Sequence, residues 1–171
     1  VQTCALPICV LLTKGYGLGG ELLEFTAGDA GLEPKSIWKS SRVLTTKFSN
    51  PVIRDGHVYA LADGFLECVA LDTGKLVWSL RDKFGHGQLL LVGDHLVVHS
   101  EFGKLGIFPA KPEKPQWEVK VPTIKGICWN TLALSGNRLL VRSDLEMACL
   151  DRKSTRLNSS HSSVSRMPSS A

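Results

Sequence analysis

The sequence predicts an all-β protein, a partial β-propeller of four-stranded antiparallel blades, about three and a half of them. Three observations carry that expectation. Tryptophans recur at Trp38, Trp78 and Trp117, with spacings of 40 and 39 residues. Tight-turn signals recur in step with them, at Asp55-Gly56-His57, Gly93-Asp94-His95 and Gly136-Asn137-Arg138. Short apolar runs flank each of these turns, and no segment carries a long 3.6-residue pattern between caps. Hairpins are expected throughout, and helices are expected to be few.

The units follow in order. The first covers about 10–41 and opens on Gly15-Tyr16-Gly17-Leu18-Gly19-Gly20. That string satisfies G-x-G-x-x-G after an apolar run, the pattern of a dinucleotide-binding loop. Such a loop needs a helix next, because the helix N-terminus holds the pyrophosphate. Only Glu21–Thr26 separates it from Ala27-Gly28-Asp29, too short for such a helix, so it reads as an inter-strand turn. The second unit, about 50–80, is the most complete. Pro51-Val52-Ile53, Val58–Leu61 and Phe65–Asp72 are three runs separated by turns, and Thr73-Gly74 turns into a fourth that ends at Trp78. The third unit, about 87–121, repeats the plan with Leu89–Val92, Leu96–Val98 and a turn at Phe102-Gly103. The last, 129–151, has three runs, and Glu146 and Leu150-Asp151 align with Glu67 and Leu71-Asp72. Inner strands that are apolar on both sides fit a blade sandwiched between neighbours.

The ends differ from this middle. Residues 152–171 hold eight serines and follow neither strand nor helix period. They resemble a recurrent conceptual translation of a sequencing-library adaptor, and residues 1–8 resemble its counterpart. Both ends are therefore expected to be foreign to the fold and unstructured, and Cys4 and His161 to carry no function. The domain is expected at 9–151, a piece of a longer gene. The same tail explains the net charge of +4: its four basic residues leave 16 Lys and Arg against 16 Asp and Glu. A neutral body offers no footprint for nucleic acid. No apolar run reaches the length of a membrane helix, and five cysteines are too few for a disulfide scaffold.

The stretch Ala70-Leu71-Asp72-Thr73-Gly74-Lys75-Leu76-Val77-Trp78 resembles, in shortened form, the A-x-D-x-x-T-G-x-x-x-W signature of the pyrroloquinoline-quinone (PQQ)-like propeller repeat. Phe84–Leu90, Ser100-Glu101, Trp129-Asn130 and Leu140–Asp144 extend the resemblance to bacterial, mostly periplasmic, members of that family. The superfamily mixes quinoprotein dehydrogenases with non-catalytic scaffolds, one of them in the outer-membrane β-barrel assembly machinery. The resemblance implies an exported, periplasmic or envelope location, and protein or envelope partners. It implies a non-catalytic scaffold with no cofactor. The alternative is an oxidoreductase that uses PQQ with calcium. This segment lacks the vicinal Cys-Cys pair of the dehydrogenases.

Candidate site residues are few. Gly85-His86-Gly87-Gln88 is a loop whose glycines leave the imidazole uncrowded, so His86 and Gln88 are binding candidates. Glu101, after the next hairpin, and Trp129, outside the tryptophan register, join them. Asp72, Thr73 and Gly74 read as turn residues, and Trp38, Trp78 and Trp117 as wedges between blades. His95 and His99 lie four apart in a strand-like run, some 13 Å along it by the usual rise, too far for one ion. Cys68 and Cys149 read as small core residues. No metal site or catalytic residue is expected. An incomplete propeller leaves strand edges and blade faces open, so the chain is also expected to self-associate.

Overall fold

The computed structural model describes residues 8–28, 31–116, 119–151 and 165–168. Among them are fifteen strands in four antiparallel sheets, and no helix. Blade 1 is three-stranded, with β1 (Ile8–Lys14), β2 (Gly19–Gly28) and β3 (Gly31–Ser40) in sequence order. Blade 2 holds β4 (Val52–Arg54), β5 (His57–Ala62), β6 (Phe65–Ala70) and β7 (Leu76–Leu80). Blade 3 holds β8 (Gln88–Val92), β9 (His95–His99), β10 (Lys104–Pro109) and β11 (Val119–Pro122). Blade 4 holds β12 (Ala133–Ser135), β13 (Arg138–Arg142), β14 (Glu146–Asp151) and β15 (Ser165–Pro168). Every sheet is a meander, so each strand pairs with its neighbour in sequence, as short turns require. The Asp55-Gly56 turn has positive φ at both residues, 46° and 71°, the twist that matches a two-residue hairpin.

Two expectations about the ends change. β15 falls inside 152–171, and its residues pair with β14 from Glu146↔Pro168 to Cys149↔Ser165. At the other end Ile8 belongs to β1 and pairs with Phe25. The outer edge of a sheet offers unpaired N–H and C=O groups that any extended stretch can satisfy, whatever its side chains. Side-chain periodicity therefore gives no warning of such a strand.

The core lies between blades, because alternate residues of a strand face opposite neighbours. In β5, Val58 and Ala60 pack with Val43, Leu44 and Val69 toward blade 1, while Tyr59 and Leu61 pack with Leu96, Val98 and Phe108 toward blade 3. Val97, Leu105, Val141 and Ala148 fill the junction between blades 3 and 4. Cys68 and Cys128 are fully buried in these layers. Cys149 is only half-buried. It pairs across the sheet with Leu140, which is exposed, whereas Ala148 and Val141 form the inward pair of the same ladder. Residue alternation puts Cys149 on the other side, so its assignment to the core does not hold.

Two indoles join successive blades. Trp38 Nε1 donates to the Leu71 carbonyl at 2.7 Å, and Trp78 Nε1 to the Lys111 carbonyl at 3.3 Å. Both bonds span 33 residues, so the same contact is made one blade apart. The Trp38 ring lies over Gly74, which has φ +66°, and a Cβ there would come within 2.6 Å of the indole. The Thr-Gly turn thus needs glycine for its backbone and for the ring above it. Asp72 and Thr73 are exposed in that turn. Trp117 lies outside the described residues.

His99 is fully buried at the end of β9. Thr123 Oγ1 donates to the Gly103 carbonyl, so it accepts the proton on His99 Nε2, 2.9 Å away. Nδ1 is left without a hydrogen-bond partner. Burial disfavours the imidazolium and pushes the pKa down to about 4.

Two predictions follow from this packing. Trp78 is 5% exposed, and Trp78→Ala is expected to lower stability by about 3–5 kcal/mol in urea unfolding. For His99, the unfolded imidazole binds a proton near pH 6.5 and the folded one only near 4. Stability should therefore fall as pH drops through that window, by up to about 3 kcal/mol. Glu67, whose pKa burial raises, acts in the opposite sense. The comparison of wild type with His99→Gln across pH 4–7 isolates the imidazole, and parallel curves would refute its role.

Candidate functional site

The connectors between blades, 41–51, 81–87 and 123–132, meet the turns β5–β6, β9–β10 and β13–β14 at one end of the strands. Each turn donates backward to the connector that leads into its own blade. Asp63 N bonds Thr45 O, Glu101 N bonds Phe84 O, and Asp144 N bonds Ile127 O. The next connector donates in turn to the previous turn, Phe84 N to Gly64 O and Cys128 N to Glu101 O. This weave fixes loops that carry little regular structure of their own.

Within it, His86, Gln88, Glu101 and Trp129 come together, joined by Phe48. Glu101 accepts from the His86 amide at 3.0 Å through one carboxylate oxygen and from Trp129 Nε1 at 2.8 Å through the other. Burial alone would raise the carboxyl pKa, but these two donors hold it below the usual range. Gly85 has φ +63°, and a Cβ there would strike the Glu101 side chain, so glycine is required where the loop passes the acid. Gln88 is 3% exposed and donates from Nε2 to the Trp129 carbonyl at 2.8 Å and the Phe48 carbonyl at 3.0 Å. It clamps two connectors and is a positioning residue.

What these clamps present is aromatic. Phe48 and Trp129 are each 52% exposed, and their rings stack with centroids 5.5 Å apart and planes at 28°. His86 meets Phe48 edge-on at 5.6 Å. A held pair of half-exposed rings suits recognition of an apolar or aromatic group, because little side-chain entropy is lost on binding. Phe48 is absent from the sequence-level candidates. A single phenylalanine in an irregular connector carries no motif, and its ties to Gln88, Trp129 and His86 arise only in the fold.

The strand histidines do not join this cluster. His95 and His99 sit at opposite ends of β9, with His99 buried against Thr123. Among the described residues no three of His, Cys, Asp and Glu converge as metal ligands would.

The site yields one prediction. Glu101→Gln keeps the shape but leaves one oxygen for two donors, so either the His86 amide or the Trp129 indole loses its acceptor. Stability is expected to drop by about 1 kcal/mol, and the Trp129 indole proton to exchange faster by NMR. A Trp129 indole and a His86 amide that both keep their resonances and exchange rates would contradict the clamp.

No protein-family model matches the sequence, and no curated protein matches it. Solved structures do match. The computationally designed Ika8 protein superposes with a TM-score of 0.57 at 14% identity, over 82% of this chain and 44% of its own. BamB from Moraxella catarrhalis gives 0.51 at 21% identity, over 74% of this chain and 35% of that one. The N-terminal domain of Nup159 gives 0.52 at 9% identity, over 93% and 40%. The chain thus spans less than half the length of these three structures. The designed propellers and BamB share its fold, and the architecture of this chain is that of a partial β-propeller.

Proposed function

We propose that this chain is part of a non-catalytic scaffolding propeller of the PQQ-like repeat type, acting in the bacterial periplasm or envelope by binding protein or envelope components. The observation that carries the reading is the Phe48–Trp129 stack, half-exposed and fixed by Glu101 and Gln88. Residues of this kind anchor protein interfaces. The structural likeness to BamB supports the choice of a scaffold. Among the described residues no helix is long and apolar enough to cross a membrane.

The quinoprotein alternative needs a calcium site beside PQQ. Calcium takes six to eight oxygen ligands. Glu101, the acid of the cluster, spends both oxygens on N–H donors. A cluster with one carboxylate, both of whose oxygens already accept N–H donors, supports the scaffold reading over the dehydrogenase.

Two measurements test the proposal. A photo-crosslinker placed at the exposed position 130, beside the intact stack, in a Gram-negative periplasm should give a discrete protein adduct that Phe48→Ala removes, and one at position 94 should give none. Equal labelling from both positions would contradict the site. Titration of PQQ with calcium should leave tryptophan fluorescence without saturable change. Calcium-dependent micromolar quenching would promote the dehydrogenase in its place.

A further inference from the structure

A second site lies at the other end of the strands, between blades 3 and 4. In blade 1 Trp38 pairs with Leu22, the fourth residue of β2, and in blade 2 Trp78 pairs with Cys68, the fourth residue of β6. A bulge follows each pair at once, after Leu22 and after Cys68. In blade 3 the fourth residue of β10 is Ile107, and its partner is Val119. A valine therefore holds the register position that an indole holds in the two preceding blades. A cleft of about 500 Å³ opens beside Ile107. Val97 and Leu105 of blade 3 line it opposite Leu139 and Leu150 of blade 4, and His95 and Asn137 are polar groups of its wall.

The structure assigns this cleft, we infer, to a fused-ring aromatic ligand that carries one N–H donor. Its volume lies in the range of small-molecule sites, and its mostly aliphatic lining with a few polar groups is their usual composition. The ligand's shape follows from the neighbouring junctions. There a flat two-ring system fills the space between blades and donates its N–H to the next blade. At the third junction a free molecule of the same form finds aliphatic walls for its rings and the Asn137 side-chain oxygen for its N–H.

The test uses the whole chain with indole as the probe, followed by saturation-transfer NMR. Saturable binding is expected at or below about 1 mM, with shifts in the Ile107 and Leu150 methyls and none at Val58, between blades 1 and 2. 1-Methylindole, which has no N–H, should bind about fivefold more weakly, the worth of one hydrogen bond. Leu134→Trp, at an exposed strand position that lines the cleft, should abolish binding. The inference is overturned by an absence of saturation. It is equally overturned by indole shifts at Val58 instead of Ile107, which need no variant to fold. Binding that appears only in Trp117→Ala also overturns it, because the cleft would then be the seat of the chain's own side chain.

Discussion

The indole bonds from Trp38 to Leu71 and from Trp78 to Lys111 tie blade 1 to blade 2 and blade 2 to blade 3. A sheet of three- to six-residue strands cannot shield both its faces, and each blade here depends on its neighbours for burial. The wedge tryptophans fix how closely those neighbours approach. Trp38 over Gly74 and Trp78 among Tyr59, Leu66 and Phe108 set two junctions in the same way. The third junction, where Val119 takes that register, keeps a cleft instead.

The connector end depends on the same spacing. Its loops are bonded alternately to the turn of their own blade and to that of the blade before, so a shift between blades would break the weave. Glu101 and Gln88 work inside it. Each is a polar side chain spent on holding others, and the Phe48 and Trp129 rings are left to face outward. Buried polar groups cost stability unless bonded, and this pair is bonded twice over. The arrangement is rigid where it is polar and open where it is apolar, as a binding surface requires.

Much of the fold was readable in the residues. Asp55-Gly56, Gly93-Asp94 and Gly136-Asn137 mark hairpins because few residue pairs accept their backbone, and all three turns lie where their spacing puts them. The four site candidates met because repeated connectors bring equivalent loops to one end. Other features left no signal. Phe48 enters the cluster by a backbone carbonyl, which any residue possesses. β15 pairs at a sheet edge, where backbone groups can bond whatever the side chains are. In blade 3 the ladder places Val119 opposite Ile107, a pairing that the tryptophan spacing does not announce. A loop two residues shorter or longer changes register without changing period, and only cross-strand partners reveal it.

The account turns on the wedge indoles, and hydrogen exchange of the tryptophan Nε1 protons measures them directly. The Trp38 and Trp78 protons should exchange only as the blade junctions open, at rates close to those of buried amides such as Val58. The Trp129 proton, held by Glu101 at an exposed position, should exchange far faster. Exchange of Trp38 and Trp78 as fast as that of Trp129 would show that the indoles do not join the blades.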